Sequence, residues 1–132
     1  MFAVDSTSGA IEMNVGDTGA FLVAGTRDDG EDFTEDDRAV FTIKNSNGEI
    51  VMMRIYSLDN DDDIGNGVFL VEFHNNDTDT WDPGSYTYEV RWVVNPYYEG
   101  TKIVNGDFVN TPGIDGKGNP IPMTLKAVQA DI

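Results

Sequence analysis

The chain has no cysteine, which removes every disulfide and every thiolate-bound metal from consideration and leaves the redox compartment open. It has a single histidine, His74, so no histidine cluster can be built for zinc or for a two-histidine acid-base pair. Basic residues are scarce: 8 against 24 acids, a formal net charge of -16. A field of that sign opposes phosphate backbones and anionic headgroups, so neither nucleic acid nor a membrane surface is expected as a partner. Long apolar runs are missing too. The start, MFAVDSTSGA, carries neither a basic region nor a sustained hydrophobic stretch, and no signal or spanning segment is read there. No serine elbow of the G-x-S-x-G kind and no phosphate-cradling glycine loop before a helix occurs, and no catalytic residue is assigned.

What is present is alternation with a period of two. Asp82 to Val94 reads DPGSYTYEVRWVV: a proline-glycine turn followed by a strand with Tyr86, Tyr88, Val90, Trp92 and Val94 on one face and Thr87, Glu89 and Arg91 on the other. Similar alternation marks strands over 11–15, 18–24, 38–44, 49–58, 68–73 and 123–128, and no amphipathic helix is evident. Asn47-Gly48 between two apolar runs predicts a hairpin. In the strand after it, both faces are partly apolar and neither stands out as the inner one. Residues 1–10 are small and polar and are expected to form a flexible N-terminal arm, leaving 11–132 as one domain.

Asp82, Gly84 and Tyr86 have the spacing of the tyrosine corner that leads into the sixth strand of immunoglobulin-type sandwiches, although antibody domains place cysteine where Tyr88 stands here. The expected fold is therefore an all-β, immunoglobulin-like β-sandwich of about seven antiparallel strands. Between 95 and 122, four prolines and five glycines predict a long projecting loop or a small hairpin turning at Asn105-Gly106-Asp107 before the last strand.

Two acidic tracts, TRDDGEDFTEDD at 26–37 and 59–67, invite a calcium reading. Asp59, Asp61 and Asp63 alternate as in an EF-type loop, but Ile64 stands where glycine is required and Leu70 where a bidentate acid is required. A looser cage combining Asp28, Asp29, Glu31 or Asp32 with 61–63 is the remaining metal candidate; solvated loop charge is the plainer account. Otherwise no cofactor is expected. Phe33, alone among the charges of its tract, is expected to pin that loop to the core.

Aromatic residues outside the strand interiors are the binding candidates: Trp81, Tyr97, Tyr98 and Phe108 lie at turns or in the 95–122 segment, where they offer contact area for a protein or a stacking surface for a sugar. The plainer account has Trp81 covering one end of the sandwich. His74, beside Asn75, Asn76 and Asp77, reads as a surface residue at a strand end.

The succession GDTGAFLV at 16–23, DDRAVFTIKNSNGEIV at 36–51 and DPGSYTYEVRWVVNPYY at 82–98 resembles small sandwich proteins found among phage and prophage structural genes. It is similar, more distantly, to the N-terminal domain of phage baseplate upper proteins. The resemblance implies a non-enzymatic virion or tail-associated module that contacts other virion proteins, or itself, through sheet edges and loops. It also implies location in the virion, or in the host cytoplasm before assembly. The alternative is a carbohydrate-binding or adhesive module of a bacterial surface protein, with Trp81 and the tyrosine pair as its platform.

Overall fold

A computed structural model describes the chain except for residues 26, 28–29, 60–64, 100–101, 108–120 and 128–132; within 95–99 and 102–107 it describes the backbone alone. The described residues form nine strands and one helical turn: β1 (Ala3–Val4), β2 (Ile11–Asn14), β3 (Gly19–Ala24), β4 (Arg38–Lys44), β5 (Ile50–Ser57), β6 (Val68–Phe73), α1 (Asn75–Thr78), β7 (Gly84–Glu99), β8 (Lys102–Asp107) and β9 (Ile121–Lys126). The all-β class is as expected.

One sheet runs β1-β2-β9-β7-β4-β5, with β8 joined to the far half of β7; the other consists of β3 and β6. The long tyrosine- and valine-rich strand β7 holds the centre. Its near half pairs with β9, from Gly84↔Leu125 to Tyr88↔Ile121, and its middle pairs with β4, from Thr87↔Lys44 to Val93↔Arg38. Both pairings are antiparallel, and the return of the last strand beside β7 matches the expectation. The pairing of β2 with β9 does not, because those strands run parallel, with Ile11 opposite Met123 and Met13 opposite Leu125. Only a tight turn forces neighbours to be antiparallel, and these two strands come from opposite ends of the chain.

Rings stitch the two sheets together. Phe21 of β3 lies 6.4 Å from Phe41 and 6.0 Å from Tyr88, and Phe73 of β6 lies 6.4 Å from Phe41. Further along, Phe69 meets Trp92 edge-on at 5.6 Å and stacks on Tyr56 at 4.6 Å. Each such pair adds about 0.5–1.5 kcal/mol beyond the area it buries. Glycine is required where the second sheet crosses those rings. A Cβ at Gly25 would stand 2.7 Å from the Trp92 ring, and one at Gly19 would stand 2.2 Å from Phe2.

Phe2 corrects the reading of residues 1–10 as an arm apart from the domain. Its ring packs 6.4 Å from Phe21 and 5.9 Å from Phe73, β1 pairs antiparallel with β2, and the Tyr88 hydroxyl donates to the Gly9 carbonyl. The segment docks because a two-stranded second sheet leaves apolar surface that Phe2 and Val4 cover. Phe33 does as expected: it is buried and stacks on Trp92 at 5.9 Å. The Asn47-Gly48 hairpin also forms, with Gly48 at φ 80° and its N–H donating to the Asn45 carbonyl at 3.0 Å.

Candidate functional site

The corner before β7 is built as its spacing implied. The Tyr86 hydroxyl donates to the Asp82 carbonyl at 2.7 Å, four residues upstream, and locks the turn into the strand. Burial raises the Tyr86 pKa, and the Asp82 carboxylate raises it further. Trp81 stacks on the Tyr86 ring at 5.4 Å with an interplanar angle of 26°, and its backbone N–H donates to the Thr78 carbonyl at 3.0 Å. Half-buried, Trp81 covers the end of the core and gives one ring face to Tyr86. Between the β4–β5 turn and the corner, Asn45, Asn47, Asp82, Ser85 and Tyr86 line a small polar cleft of about 160 Å³, and Trp81 is not part of its lining.

Tyr97 and Tyr98 belong to a strand. β7 continues through them to Glu99, and β8 runs back antiparallel, with Tyr97 opposite Asn105 and Tyr98 opposite Ile103. A hairpin before the last strand was expected, but its turn lies elsewhere than expected: Asn105-Gly106-Asp107 is within β8. The β-branched and aromatic residues on either side carry the ladder through those turn-prone residues. The register shifts between Val94 and Tyr97, around Pro96, which has no N–H to give to a ladder. Phe108 lies outside the described residues.

Of the calcium candidates, Asp28, Asp29, Asp61 and Asp63 also lie outside the described residues. Asp59, Glu31 and Asp32 are exposed. Among the described residues, no three histidine or carboxylate side chains come together as a metal set. The His74 side chain is solvent-facing at the end of β6, and its backbone N–H donates to Asp77 Oδ2 at 2.7 Å. Among the described residues no helix is long and apolar enough to cross a membrane.

A buried charge organises the first acidic tract. Asp37 is fully buried, accepts the Thr34 N–H at 2.8 Å and faces Arg27 Nη1 at 3.4 Å, while its carbonyl takes the Arg38 guanidinium at 2.9 Å. These contacts join Arg27, Thr34 and Arg38 at Asp37. The tract is legible in the sequence and this node is not, because nothing in a run of acids distinguishes the one that turns inward.

The surface that sequence reasoning missed is apolar and lies on the sheet edges. Met53 (58% exposed) and Ile55 (47%) project from β5, the last strand of the larger sheet, and Leu22 (61%) projects from β3. β5 carried a signal in its two apolar faces. Its inner face is Met52, Arg54 and Tyr56, where Arg54 donates to the Glu72 carbonyl, pairs with Asp77 at 3.0 Å and lies 5.8 Å from the Phe73 ring centre. Arg54 thus closes the gap between β5 and β6 and leaves Met53 and Ile55 to solvent.

No protein-family model, no curated protein and no solved structure matches this chain.

Proposed function

We propose that this protein is a non-enzymatic structural component of a phage or prophage particle, associated with the virion or its tail and acting through protein-protein contacts. The observation that carries the reading is the contrast between a heavily acidic chain and the acid-free, partly apolar edge strands β3 and β5, exposed on a ring-stitched β framework. Exposed edge strands present unpaired backbone groups to a neighbour, and proteins that stay single generally blunt them with charge. The resemblance of the three segments to phage structural proteins points the same way.

The finer fold assignment is an immunoglobulin-like sandwich. In its favour are the tyrosine corner, the adjacent trio β4-β7-β9 and the facing pair β3-β6. Its departures are the two-stranded second sheet, the lack of cysteine and the placement of Trp92 on β7 instead of an earlier strand.

The β7–β8 hairpin is the contact element that reaches past the sandwich, and Tyr97 and Tyr98 are its aromatic positions. Replacing both by alanine is expected to weaken binding to a partner while the far-UV and near-UV spectra of the sandwich persist. Loss of the folded spectrum with no change in association of the remaining folded fraction contradicts that role.

The polar cleft at the Tyr86 corner, next in the chain to Trp81, favours a second reading, recognition of a sugar by a bacterial-surface module. A glycan screen with binding lost in Trp81→Ala supports it; no binding in the millimolar range removes it.

A further inference from the structure

We propose that β3 is a self-pairing edge, on which two copies of the chain join antiparallel about a two-fold axis through Leu22. The inference deepens the assembly reading above and rests on it.

In the sequence around β3, Thr18-Gly-Ala-Phe-Leu-Val-Ala-Gly-Thr26 reads nearly the same in both directions about Leu22. Antiparallel strands set residues opposite each other on the same face, so a two-fold axis at Leu22 sets Leu22 against Leu22, Phe21 against Val23, Ala20 against Ala24 and Gly19 against Gly25. The match preserves sidedness. Phe21 and Val23 face the core, whereas Ala20, Leu22 and Ala24 are exposed. Two steps outward, the same reflection brings Asp17 of one copy towards Arg27 of the other at both ends of the contact. Each of these groups has a partner within its own chain, Asp17 at the Met1 amino group and Arg27 at Asp37, so they contribute as local fields of opposite sign.

β3 pairs with β6 on one side and, among the described residues, with nothing on the other. Nothing charged stands on it. In a chain of net charge -16, it is a stretch where two copies meet without opposing carboxylates. The joined strands would form a continuous β6-β3-β3-β6 sheet.

The β5 edge is a weaker candidate. Arg54 on its inner face is a device that discourages strand addition, and reflection about Met53 sets Glu49 against Ser57 with no opposite charges at the ends. The area offered by one six-residue strand is far below the roughly 800 Å² per partner of a stable dimer. The contact is therefore weak in free solution and takes effect at the local concentration of an assembled particle.

The lack of native cysteine allows a direct test. Leu22→Cys puts a thiol on the proposed axis, at an exposed position where the fold tolerates it, and directly opposed Cβ atoms are close enough to oxidise. Under mild oxidation at high protein concentration, L22C is expected to form disulfide dimers about tenfold faster than Met53→Cys, and faster in 1 M than in 0.05 M NaCl because repulsion between the copies is screened. Ala20→Cys mixed with Ala24→Cys should cross-link, whereas either alone should not, since like positions lie about 13 Å apart in this register. Equal rates for L22C and M53C, or A20C dimerising alone, overturn the proposal. If L22C stays monomeric while the native chain is built into particles, the β3 pairing fails and the assembly reading survives.

Discussion

Tyr86 shows how a single hydroxyl sets the entry to the central strand. Its bond to the Asp82 carbonyl holds the turn in which Trp81 stacks on its ring, so one side chain joins the corner, the lid over the core and the start of β7. Tyr86→Phe keeps the ring and removes the bond, and is expected to lower stability by about 1 kcal/mol, read as the shift of a urea unfolding midpoint. No change would mean the corner is held by packing alone. This residue was legible in the sequence because corner, glycine and tyrosine follow each other at fixed offsets. Tyr88 was legible as core from its phase with Tyr86 and Trp92, and burial in that core pushes its pKa up to about 12. Its hydroxyl partner, the Gly9 carbonyl, was not legible: seventy-nine residues separate them, and no local pattern announces such a bond.

At the scale of elements, the strands with a clean period of two and a strong turn beside them were readable, whereas the N-terminal segment and the β7–β8 extension were not. Residues 1–10 look polar on average, but position matters more than the average: Phe2 alone fills the space over Gly19 and against Phe21 and Phe73. Phe2→Ala should therefore destabilise the whole domain by about 2 kcal/mol, less than the roughly 3–5 kcal/mol of a fully buried ring because Phe2 is only partly covered. Unfolding unchanged by the substitution would return residues 1–10 to the status of an arm. The extension was obscured for the opposite reason. Pro96 and Asn105-Gly106 are strong local turn formers, and pairing between β7 and β8 overrides them.

Across the whole molecule, charge outweighs every other bias in composition. With 24 acids and 8 bases, added salt screens net self-repulsion, so the melting temperature should rise between about 0.02 and 1 M NaCl; a fall would mean that ion pairs such as Arg54–Asp77 outweigh the repulsion. Acid acts on particular groups. For Asp77, burial works to raise the pKa, but the His74 N–H and the Arg54 guanidinium outweigh it and the net shift is downward; for Asp17, burial is likewise outweighed by the Met1 amino group and the Asn14 N–H. A folded-state pKa below the unfolded one stabilises above about pH 4, and that contribution is lost as pH falls further through the folded value. Stability should thus drop on acidification below about pH 4, as followed by circular dichroism.

The same scale holds the proposed role of this acidic framework with its acid-free β3 and β5 strands, that of a building part of a phage particle. Immunogold labelling of particles released when the source cells are driven into prophage induction addresses it directly. Gold is expected at one fixed position on the tail or head of most particles. Bare particles, with the antigen on the cell wall instead, would contradict the claim.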